Sequence, residues 1–233
     1  MLKSDLHCHV KGDPHDDIKY TAEDLIDRAH KKGYHVLAIT CHDKVIFSEH
    51  LKNYAASKSI LLIPGAEKTL FGKHILIYNI TQEELESINN FDDLKNIKSK
   101  NPELLVIAPH PYYPGFSLQH LLDQHHDLFD AIEYSHFYFY FLNFFNKKAV
   151  TAAKKYNKPL VGNSDCHIKT QFGTTYSTIH SEKTNVAVVA AIRSGKVTHV
   201  SKSLNPIQFT IVLLWIVKAL TFFLAKRAFS RVR

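Results

Sequence analysis

Short apolar runs alternate with polar, helix-like segments along most of the chain. The runs are rich in Val, Ile and Leu, and their hydrophobic residues are continuous rather than alternating. This pattern is typical of strands that are covered on both faces, as in parallel sheets. Seven runs predict strands, at residues 3–9, 36–40, 60–65, 74–79, 104–109, 130–135 and 159–164.

The segments between these runs carry helix start and stop signals. Thr21 and Asp24 form a capping box before a helix that Gly33 ends, and Thr81 with Glu84 begins another helix. Seven alternations of strand and helix predict a parallel α/β fold, which is either a barrel or an open doubly wound sheet.

Residues that can bind metal ions follow the ends of several predicted strands. A closed barrel brings strand-end loops to one mouth, whereas an open sheet spreads them along a line. One compact site therefore favours a barrel. His74 is an exception, because it stands at the start of its run. The others are His7 and His9 at the end of the first run, His42 after the second, Glu67 after the third, His110 after the fifth, and Asp165 and His167 after the seventh.

Composition supports one domain of moderate size. A chain of 233 residues that is 45% hydrophobic can bury a substantial core. Its three cysteines, Cys8, Cys41 and Cys166, are widely spaced and odd in number, which argues for a reducing compartment. No apolar signal segment precedes the first run, so we expect a cytoplasmic protein. Each cysteine directly precedes a candidate histidine, and in an extended backbone its side chain points away from that histidine, into the barrel wall.

The net charge of +7 belongs largely to the C-terminal tail. Five basic residues and no acid follow Asn205, which leaves 24 basic and 22 acidic residues in 1–205. The main domain is therefore nearly neutral, and long nucleic acid is not an expected partner.

The tail contains a 19-residue apolar run, 207–225, interrupted chiefly by Lys218 and followed by "KRAFSRVR". Its length approaches the ~20 residues that cross a bilayer. Three alternatives remain open: a spanning helix, a helix lying on the inner face of a membrane, and a helix packed on the barrel or in an oligomer. Free cysteines and flanking basic residues favour the second. We therefore divide the chain into a barrel, 1–205, and a C-terminal helix, 206–233.

Five ordered motifs, "DLHCH", "AITCHD", "PGAE", "APHP" and "GNSDCH", resemble the PHP (polymerase and histidinol phosphatase) family of metallophosphoesterases. The resemblance spans about residues 3 to 200. It implies a distorted (β/α)7 barrel with two or three divalent metal ions, of zinc, manganese or iron. It implies that His7, His9 and Asp165 share one metal, that Glu67 bridges it to a second held by His74 and His110, and that His15, His42 and His167 hold a third.

Two placements within this ligand set are less direct. The segment "GDPHDD" departs from the Ser-Asp-Gly that is common there, so Asp13 or Asp16 could replace His15 as the ligand. His136, in "EYSHFYF", could face the site, although we interpret it as structural.

The resemblance implies hydrolysis of a phosphate ester by metal-bound hydroxide. Glu67, Asp165, His42 and His167 are the expected catalytic residues. The expected substrate is a small phosphomonoester, a nucleotide or an oligonucleotide end. Two alternatives are an amidohydrolase-type metal-dependent hydrolase and a catalytically silent metal-binding scaffold at a membrane.

Overall fold

The computed structural model describes residues 1–140 and 142–230, with side chains described up to residue 218. Within this part the chain forms nine strands in one mixed sheet, in the order β7-β6-β5-β4-β3-β2-β1-β8-β9. The strands are β1 Leu2–Asp5, β2 Val36–Ile39, β3 Leu61–Leu70, β4 Lys73–Tyr78, β5 Leu105–Ala108, β6 Ala131–Ser135, β7 Leu160–Asn163, β8 Thr175–Ile179 and β9 Val197–Ser201.

The expectation of a wholly parallel sheet is wrong. β4 runs antiparallel to both β3 and β5, and β8 runs antiparallel to β1 and β9. The sequence pattern also missed β8 and β9. Buried and half-buried residues alternate along β8, so neither hairpin strand carries a continuous apolar run.

The sheet curls until β7 meets β1, β8 and β9, and this seam nearly closes a barrel. Side chains complete this seam. The Leu6 N–H donates to Asn163 Oδ1 (2.9 Å), and the Ser177 hydroxyl both accepts from the Gly162 N–H (2.8 Å) and donates to its carbonyl (3.0 Å). A Cβ on Gly162 would stand 2.8 Å from the Tyr176 carbonyl, so the close approach requires glycine. The predicted α/β barrel class is confirmed.

Both predicted capping boxes are present, at Thr21 with Asp24 and at Thr81 with Glu84, and Gly33 follows the first of these helices in a left-handed conformation (φ 69°). A short 3₁₀ turn covers His126–Leu128. The helices are α1 Ala22–Lys31, α2 Glu49–Ser57, α3 Gln82–Ser87, α4 Phe91–Lys100, α5 His120–His125, α6 Phe144–Lys155, α7 Asn185–Arg193 and α8 Pro206–Ser230.

The strands are buried on both faces, which explains their continuous hydrophobicity. Ile75 and Val106 pack outward against the helices, whereas their neighbours Leu76 and Ile107 pack inward. Inside the barrel, the Tyr78 hydroxyl donates to the Leu6 carbonyl (2.7 Å) and so satisfies a polar group in an apolar interior.

The C-terminal helix α8 packs against the barrel mouth through Val212 and Trp215. None of the helices in the described part of the chain combines the length and apolar character needed to cross a bilayer. Attachment of α8 to a membrane surface stays a prediction. The basic residues that entered this prediction, Lys226, Arg227, Arg231 and Arg233, lie outside the residues whose side chains are described.

We expect Ser177→Ala to destabilise the protein because it leaves the buried N–H and carbonyl of Gly162 without their partner. The expected loss in the free energy of unfolding is about 1–3 kcal/mol. Urea denaturation measures it. Ser181→Ala is the matched control, since that hydroxyl donates only a local bond to the Glu182 carbonyl at the surface, and its effect should stay within about 0.5 kcal/mol. Equal effects of the two substitutions would contradict the role of the seam.

Candidate metal centre

The nine residues expected to bind metal lie at one end of the barrel. β1, β2, β5 and β7 present their side chains after their carboxyl ends, whereas Glu67 lies within β3, which extends beyond the predicted run to Leu70. β4 runs the other way, so it presents His74 from its amino end, and the exception in the sequence has a topological cause. Clusters of potential ligand atoms bring the nine together: His7, His9, His15, His42, Glu67, His74, His110, Asp165 and His167.

The Glu67 carboxylate is the centre of this cluster and is 1% exposed. Backbone pairing fixes its position, because the Glu67 N–H donates to the Cys41 carbonyl (3.2 Å) and its carbonyl accepts from the Asp43 N–H (2.9 Å). Five imidazole nitrogens surround the two oxygens: Oε2 lies 3.2 Å from His7 Nε2, 3.3 Å from His9 Nε2 and 3.2 Å from His42 Nε2, and Oε1 lies 2.9 Å from His74 Nδ1 and 3.1 Å from His110 Nε2.

Asp165 faces Glu67 across the His7 and His9 rings. Its Oδ1 lies 3.3 Å from His7 Nε2, 3.4 Å from His9 Nε2 and 3.4 Å from His167 Nδ1. The Asp165 backbone is left-handed (φ 44°), a conformation that costs energy in a residue other than glycine. This strained backbone conformation directs the Asp165 carboxylate into the cluster.

Two further carboxylates orient the histidines from behind. Asp13 Oδ2 accepts from His9 Nδ1 (2.8 Å) and His42 Nδ1 (3.0 Å). Glu133 Oε1 accepts from His7 Nδ1 (2.9 Å), which leaves the Nε2 of all three rings directed at Glu67. Such carboxylate–imidazole pairs fix the tautomer and orientation of metal-ligating histidines.

Electrostatics in the cluster balance burial against neighbouring charges. Burial opposes the charged forms, yet the surrounding imidazoles hold the pKa of Glu67 and Asp165 well below the usual range. Burial also opposes the charged forms of His7 and His9, but the facing carboxylates outweigh it and hold the pKa of both imidazoles well above the usual value for histidine. His42 differs, because burial lowers its pKa to about 4. A bound cation would therefore displace protons from His7 and His9.

The residues fit divalent metal ions. His7 Nε2, His9 Nε2 and Asp165 Oδ1 are buried without a hydrogen-bond partner among the described residues, and they converge on Glu67. Ligand atoms of His7, His9, Glu67 and Asp165 lie within 4.8 Å of one another, and those of Glu67, His74 and His110 form a second such group. Imidazole and carboxylate donors are the set that suits zinc, manganese and iron.

The third expected group is looser. His15 stacks on His42 with ring centroids 4.7 Å apart, and its Nε2 lies 3.4 Å from Asp43 Oδ2. Asp16 Oδ2 lies 3.3 Å from His167 Nε2 and 3.7 Å from His42 Nδ1. Two of the three residues left open by the sequence, His15 and Asp16, therefore lie beside His42 and His167.

Asp13, the third residue left open by the sequence, has a different environment from His15 and Asp16. Its side chain is occupied by His9 and His42, and Oδ1 also accepts from the backbone N–H groups of His15 and Asp16. Hydrogen bonds from the two histidines overcome burial and hold the pKa of Asp13 far below its usual value. Asp13 is placed to position ligands rather than to bind a metal itself.

The three cysteines are free and fully buried. All three pack in the apolar cluster outside the barrel wall, with Ile18 and Leu25 among its members. Cys41 also lies near His9 and Asp13, behind the cluster.

Sequence reasoning missed two polar residues at the site, Glu133 and Gln171, and favoured a structural role for a third, His136. Glu133 interrupts an apolar strand, which was the available signal, since a fully buried carboxylate needs partners. His136 is buried and lines the cavity above the cluster, and Gln171 Nε2 lies 3.0 Å from its Nε2. This position is the alternative that the sequence left open for His136.

Comparisons with known proteins bear on the family and the fold. The PHP-associated family model matches residues 143–197. No curated protein sequence matches the chain. Among solved structures, the chain is similar to a two-domain protein from Bacteroides vulgatus that contains a predicted PHP-like metal-dependent phosphoesterase, with 18% identity and a TM-score of 0.66 over 86% of this chain and 64% of that one. The present chain thus spans less than two thirds of the length of the Bacteroides vulgatus protein.

Two other structures share the fold. PsfC from Pseudomonas syringae is 14% identical, with a TM-score of 0.65 over 95% of this chain and 98% of that one. An amidohydrolase from Chromobacterium violaceum, with bound sulfate and no metal, is 16% identical, with a TM-score of 0.53 over 70% of this chain and 87% of that one. At these identities the likeness shows a common fold. With the family match, the resemblance to the PHP family is confirmed.

We expect Asp13→Asn to weaken metal binding, because one carboxylate oxygen becomes an NH2 group. That group cannot accept hydrogen bonds, either from His9 and His42 on one side or from the His15 and Asp16 N–H groups on the other. The expected loss of Mn²⁺ affinity is about 10–100-fold, measured by calorimetric titration of the metal-free protein. Asp17→Asn is the matched control, since that carboxylate lies on the surface and pairs with Lys19. Unchanged affinity in the Asp13 variant would contradict the positioning role.

Proposed function

We propose that the chain is a PHP-type metal-dependent phosphoesterase that hydrolyses a small phosphomonoester, a nucleotide or an oligonucleotide end. One observation carries the proposal: a single buried carboxylate, Glu67, is shared by two groups of potential ligands. Bridging carboxylates of this kind hold pairs of metal ions, and paired ions suit phosphoryl chemistry because they counter the charge of the phosphate oxygens.

The donor atoms divide into two principal sets. His7, His9 and Asp165 would hold one ion, His74 and His110 would hold a second, and Glu67 would contribute one oxygen to each. When bound, divalent ions neutralise phosphate oxygens and lower the pKa of water to about 7.

The chain's own residues supply orientation and protection around these sets. Asp13 and Glu133 hold the imidazole rings so that Nε2 is free for a ligand. His42, uncharged because burial lowers its pKa to about 4, presents a lone pair at Nε2. Asp16 and His167 stand beside the two sets, where a third ion could be held or a leaving-group proton exchanged.

Amidohydrolase-type hydrolysis is the alternative reaction, and the fold shared with the Chromobacterium violaceum amidohydrolase supports it. The other alternative, a catalytically silent metal-binding scaffold, predicts that the protein binds metal but turns over no substrate.

The discriminating experiment combines elemental analysis with a substrate panel. The panel holds phosphomonoesters, nucleoside bisphosphates, cyclic phosphodiesters, short oligonucleotides and acyl amides. We expect phosphate release that a chelator abolishes and that Mn²⁺ or Zn²⁺ restores. Amide cleavage alone would favour the alternative reaction, and metal without turnover would favour the scaffold.

We expect Asp165→Asn and Glu67→Gln to reduce phosphate release to the background rate, because each removes a negative charge that the bound ions need. Elemental analysis should show reduced metal content in the same samples. Asp127→Asn, at a carboxylate that is 91% exposed, is the matched control and should keep full activity. Circular dichroism verifies folding. Near-wild-type turnover in either site variant would contradict the assignment of Glu67 and Asp165 as metal ligands.

A further inference from the structure

The cavity above the ligand cluster has two chemically different halves. Its volume is about 440 Å³, which is large enough for a small organic molecule. The floor consists of the histidines and carboxylates described above. The opposite half is apolar, and its walls are formed by Tyr113, Phe116, Phe137, Val212, Trp215 and Ile216.

Helix α8 supplies half of this apolar wall. Val212 is 1% exposed, and the Trp215 ring lies 4.5 Å from the His167 ring, centroid to centroid. The start of the helix is anchored where Phe209 stacks on Phe137 with centroids 5.4 Å apart. The apolar surface therefore reaches the edge of the candidate metal centre.

The cavity offers charge for one phosphate and apolar surface for the rest of a ligand. Among the described residues that line it, none is a lysine or an arginine. A second phosphate group, as in a nucleoside bisphosphate, would thus meet neither an ammonium nor a guanidinium group among these residues. Apolar area removed from water stabilises a complex in proportion to its extent.

We propose that the substrate is a phosphate monoester whose alcohol carries an apolar group, aromatic or alkyl, and that this group occupies the half of the cavity formed by Trp215. The proposal names the substrate class of the same site and rests on the proposed function. It narrows the panel to esters of apolar alcohols.

Binding can be measured without turnover, because phosphonates carry a carbon–phosphorus bond in place of the ester. The Mn²⁺-loaded full-length protein is titrated with phenylphosphonate and methylphosphonate by calorimetry. Trp215 is the one tryptophan in the sequence, so its fluorescence reports on the apolar half directly. We expect phenylphosphonate to bind about 10-fold more tightly and to change the emission. Equal affinities would overturn the proposal.

Variants of α8 test the residue itself. Trp215→Ala should bring the two phosphonate affinities within about twofold, whereas Trp215→Phe should keep most of the preference, because a ring is retained. Leu214→Ala, at a neighbouring side chain that is 64% exposed, is the control and should change neither affinity. Equal effects of Trp215→Ala and Leu214→Ala would also overturn the proposal.

Turnover separates this proposal from the proposed function. The substrates are 1-naphthyl phosphate, decyl phosphate and glycerol 3-phosphate, which distinguish aromatic, alkyl and polar alcohols. We expect Trp215→Ala to raise KM for the apolar esters by about 10-fold and to leave KM for glycerol 3-phosphate unchanged. Hydrolysis of all three with equal KM would overturn the substrate class alone. Hydrolysis of none of them, together with no phosphate release from the panel above, would overturn the function. Faster turnover of all three in Trp215→Ala would show that α8 obstructs the cavity, against the proposal.

A second inference concerns His136 and is carried by separate hydrogen bonds. Gln171 Oε1 accepts from the backbone N–H groups of His167 and Ile168, each at 2.8 Å. This fixes the orientation of the amide, so Gln171 Nε2 donates to His136 Nε2. The proton of the neutral His136 ring must then sit on Nδ1. That atom is buried and has no hydrogen-bond partner among the described residues.

We infer that His136 Nδ1–H donates a hydrogen bond to an oxygen of the bound phosphate ester, a role that also rests on the proposed function. A buried donor without a partner carries a desolvation cost that a ligand oxygen would offset. His136 lines the cavity, as this role requires.

Replacements that keep a donor at different positions test this inference. We expect His136→Ala to weaken phenylphosphonate affinity and to lower kcat by about 10-fold each. His136→Asn places its amide near the former Nδ1 and should recover most of both, whereas His136→Gln, which extends toward the former Nε2, should not. If the Asn and Ala variants are equally impaired while both stay folded, the inference fails.

Discussion

One shared carboxylate imposes the main constraint on this structure. The two oxygens of Glu67 face five imidazole nitrogens that come from four separate segments of the chain, all within 3.3 Å. So many ionisable groups are stable in a buried space only when each has a partner, because an unpaired buried charge costs several kcal/mol. The carboxylates of Asp13 and Glu133 supply partners on the outer side of the rings. The closed barrel is what allows strand ends that are distant in sequence to meet this requirement together.

Much of the site could be read from the sequence, because metal-competent side chains occur at strand ends in a fixed order. The direction of β4 could not be read from its composition, since Ile75, Leu76 and Ile77 are buried whichever way the strand runs. The position of His74 at the start of its run was the visible sign of the reversal. β8 and β9 were missed for a different reason. They form a half-exposed hairpin, and its alternating pattern is weaker than the continuous pattern of the barrel strands.

The C-terminal helix shows what hydropathy alone leaves open. A run of apolar residues predicts burial without saying against which surface. In the structure, Val212 and Trp215 lie on the face of α8 that meets the barrel mouth, whereas Leu214 lies on the opposite face and is exposed. The same segment therefore contributes to the cavity, a role that depends on long-range contacts such as Phe209 with Phe137. Glu133 and Gln171 were equally hard to anticipate, because their functions are defined only by residues far away in the sequence.

The seam between β1 and β7 is held by few backbone bonds, and His7 and His9 stand on one side of it while Asp165 and His167 stand on the other. A cation held by ligands from both sides would link β1 to β7 across the seam. Because a ligand that binds only the closed form stabilises that form by mass action, metal occupancy and barrel closure would be thermodynamically linked. The N-terminal strand, which by itself contributes four residues to the sheet, would then owe part of its protection from local unfolding to the ion.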